Sequence, residues 1–93
     1  MPYVVITAQV EDAAKWEEGF RTHGELFQEQ TINQPIQFAY TGKNEVMCLF
    51  SPDDLDTYLR ILDSNETAEA MKFDGVKRDT VKTVILDQEF DPR

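Results

Sequence analysis

Two side chains in the stretch WEEGFRTHGELF, residues 16–27, could build a chemical site: Trp16 and His23, the only tryptophan and the only histidine of the chain. An imidazole titrates near neutral pH, so His23 can move a proton or hold a polar ligand. An indole offers a broad apolar surface with a single N–H donor. Seven positions are two helical turns, so both residues share one face with Phe20 and Phe27. Any helix packed on a sheet shows that spacing, and a histidine there also serves as a core residue with its hydrogen bonding satisfied. Gly19 and Gly24 lie within the same stretch. Each costs a helix about 1 kcal/mol relative to alanine, which fits either a need for space or a close approach of helix to sheet.

Other chemistries lack their parts. A metal site of histidines and cysteines needs several ligands, and the chain has one of each. Ser51 and Ser64 stand at helix starts, where capping explains them. Cys48 lies among Val46, Met47, Leu49 and Phe50, so its thiol is buried and poorly ionised. No phosphate loop or dinucleotide fingerprint occurs. Asp53, Asp54 and Asp56 read as a helix-start cluster, and VKRDTVK, 76–82, as a solvated basic patch.

The chain has 93 residues, with 18 acidic against 9 basic side chains and a net charge of −9. That field repels nucleic-acid phosphates and anionic lipid surfaces, so neither is an expected partner. A lone cysteine suits a reducing compartment. The first residues show no signal-peptide pattern, and no apolar run approaches membrane-spanning length. A cytoplasmic protein of one domain, residues 1–93, is expected.

The elements that must position these residues follow from local pattern. YVVITAQV, 3–10, is a β-branched strand. Asp12 caps a helix whose inward residues are Ala13, Trp16, Phe20, His23 and Phe27. PIQFAYT, 35–41, and EVMCLFS, 45–51, form a hairpin about the turn GKN, 42–44. SPDD predicts a helix with Ser51 as cap and Pro52 in the first turn, burying Leu55, Tyr58, Leu59 and Leu62. DSNE, 63–66, breaks and restarts it, with Ala68 and Met71 inward and Gly75 as the stop. TVKTVILD, 80–87, closes the sheet.

This order is β-α-β-β-α-β, an α+β ferredoxin-like arrangement with a four-stranded antiparallel sheet and a second helix broken near 63–66. The strands are apolar on both faces: Val4, Ile6, Ala8 and Val10 oppose Tyr3 and Val5, and Val46, Cys48 and Phe50 oppose Met47 and Leu49. Helices of one chain cover one face, so the other needs a cover of its own. A second copy about a two-fold axis is the natural one, which predicts a homodimer.

The sequence VED…KW…F..H…F, followed by a hairpin and an SPDDL helix start, resembles the dimeric α/β-barrel superfamily over essentially the whole chain. That superfamily includes antibiotic-biosynthesis-type monooxygenases, haem-degrading enzymes and stress-responsive barrel proteins. The resemblance implies two chains joining their sheets into a barrel, with a ligand cleft between sheet and helices in each. Haem-degrading members place an asparagine, a tryptophan and a histidine on separate elements. Here Trp16 and His23 share a helix, and the first strand carries Gln9 but no asparagine. The expected cofactor and metal are therefore none. Cofactor-free oxygenases instead use shaped pockets with polar groups. Candidates here are His23, Tyr40 or Gln37, and Tyr3, Thr7 and Gln9, whose face on strand 1 the sequence leaves open.

The expected function is binding of a small apolar or aromatic ligand beside the first helix, lined by Trp16, Phe20, His23, Phe27 and Tyr40. Two alternatives stand. One is a cofactor-independent monooxygenase or isomerase of aromatic or polyketide-like substrates with His23 as acid–base group. The other is a structural module whose cleft is filled by its own aromatics. A cleft of several hundred Å3 supports the first two, and a fully packed interface the third.

Overall fold

A computed structural model describes residues 2–93 of the chain. Four strands make one antiparallel sheet: β1, Tyr3–Gln9; β2, Gln37–Gly42; β3, Glu45–Phe50; and β4, Lys82–Leu86. Their order is β2-β3-β1-β4, so the first strand lies at the centre and both crossovers carry helices. The first crossover holds α1, Ala13–Phe20, and α2, Gly24–Glu29; the second holds α3, Leu55–Leu62, and α4, Asn65–Phe73. The ferredoxin-like α+β fold expected from the residue pattern is present.

Alternation sets the faces. Val4, Ile6, Ala8 and Val10 are buried beneath the helices with Val46, Cys48 and Phe50, and Trp16 and Tyr58 close the core from above. The pairing Ile6↔Cys48 and Val4↔Phe50 stacks these residues side by side. On the opposite face Tyr3 and Leu86 pair, as do Val5 and Val84, beside Thr7 and Met47. Strand β1 thus resolves the question left open by its sequence: Tyr3, Thr7 and Gln9 point away from the helices.

Three expectations need correction. The first helix is not continuous, because the chain turns at Arg21–His23 and restarts as α2. Backbone bonds from Thr22 N to Gly19 O and from His23 N to Phe20 O span three residues instead of four, and the Thr22 hydroxyl donates to Gly19 O at 2.6 Å. Thr-His-Gly are poor helix formers, so the tightened turn ends α1 at little cost. Next, α3 starts later than SPDD suggests. Pro52 is buried and bridged to Ile32, and Asp53 N bonds Thr31 O at 3.0 Å, which holds the chain extended until Asp54 caps Thr57 N at 3.1 Å. Finally, Ala68 is only half-buried and lines an outer groove; the inward residues of α4 are Thr67, Ala70 and Met71, followed by Asp74 at its C-cap.

Other local signals hold. Asp12 caps α1 through Lys15 N, at 3.1 Å. Ser64 caps α4 through Thr67 N, at 3.4 Å, and Gly75 takes a positive φ of 75° after it. Thr31 also has a positive φ, 65°, unusual for a β-branched residue. Its hydroxyl accepts from Asp54 N at 3.0 Å, so the strained residue joins the end of α2 to the start of α3.

Since Asp54 and not Ser51 satisfies the first turn of α3, Asp54→Ala should cost about 1 kcal/mol in urea unfolding. Ser51→Ala should cost markedly less, and equal losses would contradict the assignment of the cap.

Candidate functional site

Between the sheet and the helices lies an apolar cavity of about 70 Å3. It holds the side chains of β1 and β3 on one wall and those of all four helices on the other, with Trp16, Phe20, His23 and Phe27 among its lining. These four residues of WEEGFRTHGELF therefore do face one apolar space. Tyr40 does not line it: it sits half-exposed beyond Trp16, where its hydroxyl donates to Glu17. That bond, and the Arg21 guanidinium 3.0 Å from Glu17, hold the Glu17 carboxyl below its ordinary value. The volume lies far below the roughly 300–1,000 Å3 of drug-sized ligand sites. It is about half of the roughly 150 Å3 apolar cavity known to accept benzene.

The aromatic residues form a continuous layer. Trp16 stacks on Phe20 with centroids 4.7 Å apart, Phe20 meets Phe27 at 5.1 Å, and Phe38 presents its edge to Trp16 at 5.6 Å. Such contacts fix rings in place beyond the burial of their area. Elsewhere Leu26 and Met71 complete the wall, Met71 with an unbranched, adaptable side chain.

His23 is not simply a residue of the helix face. It precedes α2, and its Nε2–H donates to both oxygens of Asp74, at 2.9 and 3.0 Å. Asp74 is 51 residues away, at the C-terminal end of α4, with its side chain 5% exposed; that of His23 is 19% exposed. The bond fixes which ring nitrogen carries the proton, leaving Nδ1 of a neutral imidazole as the basic atom. Burial pushes the Asp74 carboxyl above its ordinary value, and the bond from His23 pulls it back without cancelling the effect.

Gly19 is explained by this pair. A Cβ there would stand 2.1 Å from Asp74 Oδ1, so only glycine lets the carboxylate settle against α1. Gly24 has open space where a Cβ would be and carries no such constraint.

Four further polar side chains line the cavity. Gln30 and Thr67 are buried and meet at 3.5 Å, and Thr67 donates to Ile61 O at 2.6 Å. Burial pushes the Cys48 thiol up to about 12, which leaves it protonated and unreactive. Burial, with Cys48 adding to it, also raises the Tyr58 phenol, so Tyr58 stays neutral. Its hydroxyl is completely buried and has no hydrogen-bond partner among the described residues. Leaving such a group unsatisfied costs about 1–3 kcal/mol. Asp74, Gln30 and Thr67 escaped the sequence reading. The signal was the spacing 67, 70, 71, 74, which puts two polar residues on the inward face of α4.

No group of three or more His, Cys, Asp or Glu residues able to hold a metal occurs among the described residues. No helix among them is long and apolar enough to cross a membrane.

No family model and no curated protein sequence matches the chain. Solved structures do. A Bordetella bronchiseptica protein, provisionally named an antibiotic biosynthesis monooxygenase, superposes with a TM-score of 0.75 at 10% identity, over 96% of this chain and 97% of that one. SnoaB from Streptomyces nogalater, a cofactor-independent oxygenase, gives 0.70 at 16% identity, over 98% and 95%. The chain shares their ferredoxin-like fold. An ethyl tert-butyl ether family (EthD) protein from Bacillus halodurans is similar too, at 0.56 and 18% identity, over 96% and 100%. At such identities the likeness is one of fold.

Two outcomes follow from the Gly19–Asp74–His23 arrangement. Gly19→Ala should lower stability by about 1–3 kcal/mol through overpacking. Combined with Asp74→Ala, which removes the clashing oxygens, the loss should be less than the sum of the two, as measured in urea. The pH dependence has a definite sign as well. With its carboxyl raised in the fold, Asp74 holds its proton there after the unfolded chain has released it, so stability falls as pH rises above 3.8. Asp74→Asn removes that slope, so its Tm relative to the parent should climb across the same range. A constant difference would contradict it.

Proposed function

We propose that the chain forms a homodimer through its open sheet face and binds a compact apolar or aromatic molecule in the cavity between sheet and helices. The observation that carries the binding reading is the cavity itself: a partly open apolar space with polar groups on its wall, one of them unsatisfied. In its present form the space holds a molecule of a few atoms. A single ring needs more room, and Met71, unbranched with three rotatable bonds, is the lining residue best able to yield it.

The dimer reading rests on the other sheet face. Tyr3, Met47, Val84 and Leu86 are between 40 and 52% exposed there, with Val5 and Leu49 half-buried among them. A contiguous apolar sheet face of this kind is rare on a solitary chain. Its mirror in a second copy would cover it across one two-fold axis. The acidic charge and the lone buried thiol fit a protein that works in a reducing compartment such as the cytoplasm.

The His23–Asp74 pair favours a second reading, a cofactor-independent oxygenase or isomerase. A carboxylate-oriented imidazole beside an apolar space is an arrangement that removes a proton from a bound aromatic substrate. In that reading His23 is the base and Asp74 positions it.

Light scattering should report a dimer at micromolar concentration, and Val84→Asp, which places a charge on that apolar face, should yield a monomer that keeps its circular dichroism. A parent chain that is monomeric would sink the assembly. For binding, benzene titrated into labelled protein should shift the amide resonances of Phe20, Phe27 and Met71. Ala70→Leu, which fills the cavity from α4, should abolish those shifts; no shift in the parent chain would leave the cavity structural. In the second reading, His23→Ala should abolish turnover of an aromatic substrate while benzene still binds.

A further inference from the structure

Tyr58 lines the cavity, and its hydroxyl has no hydrogen-bond partner among the described residues. Tyr58 lies on the inward face of α3, packed on Phe50 with centroids 5.6 Å apart. Its side chain is wholly buried, and its hydroxyl lacks a partner among the described residues while Gln30, Thr67 and His23 on the same wall all have one. Purely structural tyrosines bury the ring and bring the hydroxyl to a carbonyl or to water. An unpartnered hydroxyl on a residue that lines an apolar space is free to donate to an acceptor that enters it.

The rest of the wall limits what that acceptor can belong to. Neither lysine nor arginine lines the cavity, so a carboxylate or phosphate would be desolvated without compensation. Asp74 adds a negative charge at one end, in contact with His23. A cationic ligand would gain from Asp74 only by displacing the imidazole from it. A neutral molecule meets neither difficulty.

Building on the binding reading above, we infer that the cavity selects a compact neutral molecule bearing one oxygen acceptor, a phenol or small ketone in class, and that Tyr58 is the residue that orients it by donating its hydroxyl proton. The apolar wall of Phe20, Phe27 and Met71 takes the hydrocarbon part. Tyr58 thereby discriminates between oxygenated and plain hydrocarbon rings of the same shape, as sites built around a hydrogen-bond donor do.

Phenol and toluene, equal in shape, provide the test, titrated by NMR into the parent chain and into Tyr58→Phe. Removing an unsatisfied hydroxyl leaves packing intact, so the variant should fold, with thermal unfolding as the check. Phenol should lose about tenfold in affinity in the variant, the effect of one hydrogen bond, while toluene binds the two proteins equally. Benzoate should not bind at neutral pH. If phenol and toluene both bind and neither responds to Tyr58→Phe, the inference falls and the binding reading stands. If an ordered water satisfies Tyr58 and stays when phenol enters, the same result appears and the inference likewise falls. Benzoate binding as tightly as phenol would overturn the neutral class, and binding of none of the three would overturn both the inference and the reading it rests on.

Discussion

A β-strand turns alternate side chains to opposite faces, and in this chain both faces of the sheet are apolar. Everything else follows from how each face finds cover. The face formed by Val4, Ile6, Val46, Cys48 and Phe50 receives four short helices, which bring Trp16 and Tyr58 down as the largest parts of the core. The other face, with Tyr3, Met47, Val84 and Leu86, is left to water in the single chain. A domain of this size has little apolar area to spare, so an uncovered sheet face is a strong incentive to associate.

Breaks in both crossovers explain why the helical cover is imperfect. Two helices interrupted at Arg21–His23 and at Asp63–Ser64 cannot present one smooth ridge to the sheet. The breaks let α2 and α4 lean together, and there the polar groups collect: Asp74 against Gly19 and His23, and Gln30 against Thr67. Buried polar groups of this kind are stable only when paired, and these are. Tyr58 is the exception, and it lies where the cover is hollow.

The structural neighbours share this arrangement of sheet and helices at identities of 10–18%. A fold persists at such divergence because it needs only apolar alternation, caps and turns. A site needs particular atoms at particular distances, such as a histidine held by the residue that follows the fourth helix through a gap that only glycine leaves.

The sequence by itself determined what depends on near neighbours. Alternation in YVVITAQV and EVMCLFS, the caps at Asp12 and Ser64, and the stop at Gly75 each act within a few residues, so the element order, the sheet and the break near 63–66 could be read directly. It also showed that Trp16, Phe20 and Phe27 share a direction. Tertiary structure decided the rest, because contacts between distant segments leave no periodic trace. The partnership of His23 with Asp74 spans 51 residues, and Gly19 reads as a weak helix position until a carboxylate is seen resting on it. The start of α3 moved from Ser51 to Asp54 because Thr31 and Ile32 hold the preceding residues extended. Which face of β1 met the helices was likewise settled only by packing, since both faces are apolar enough to be buried and only one can be covered by a single chain.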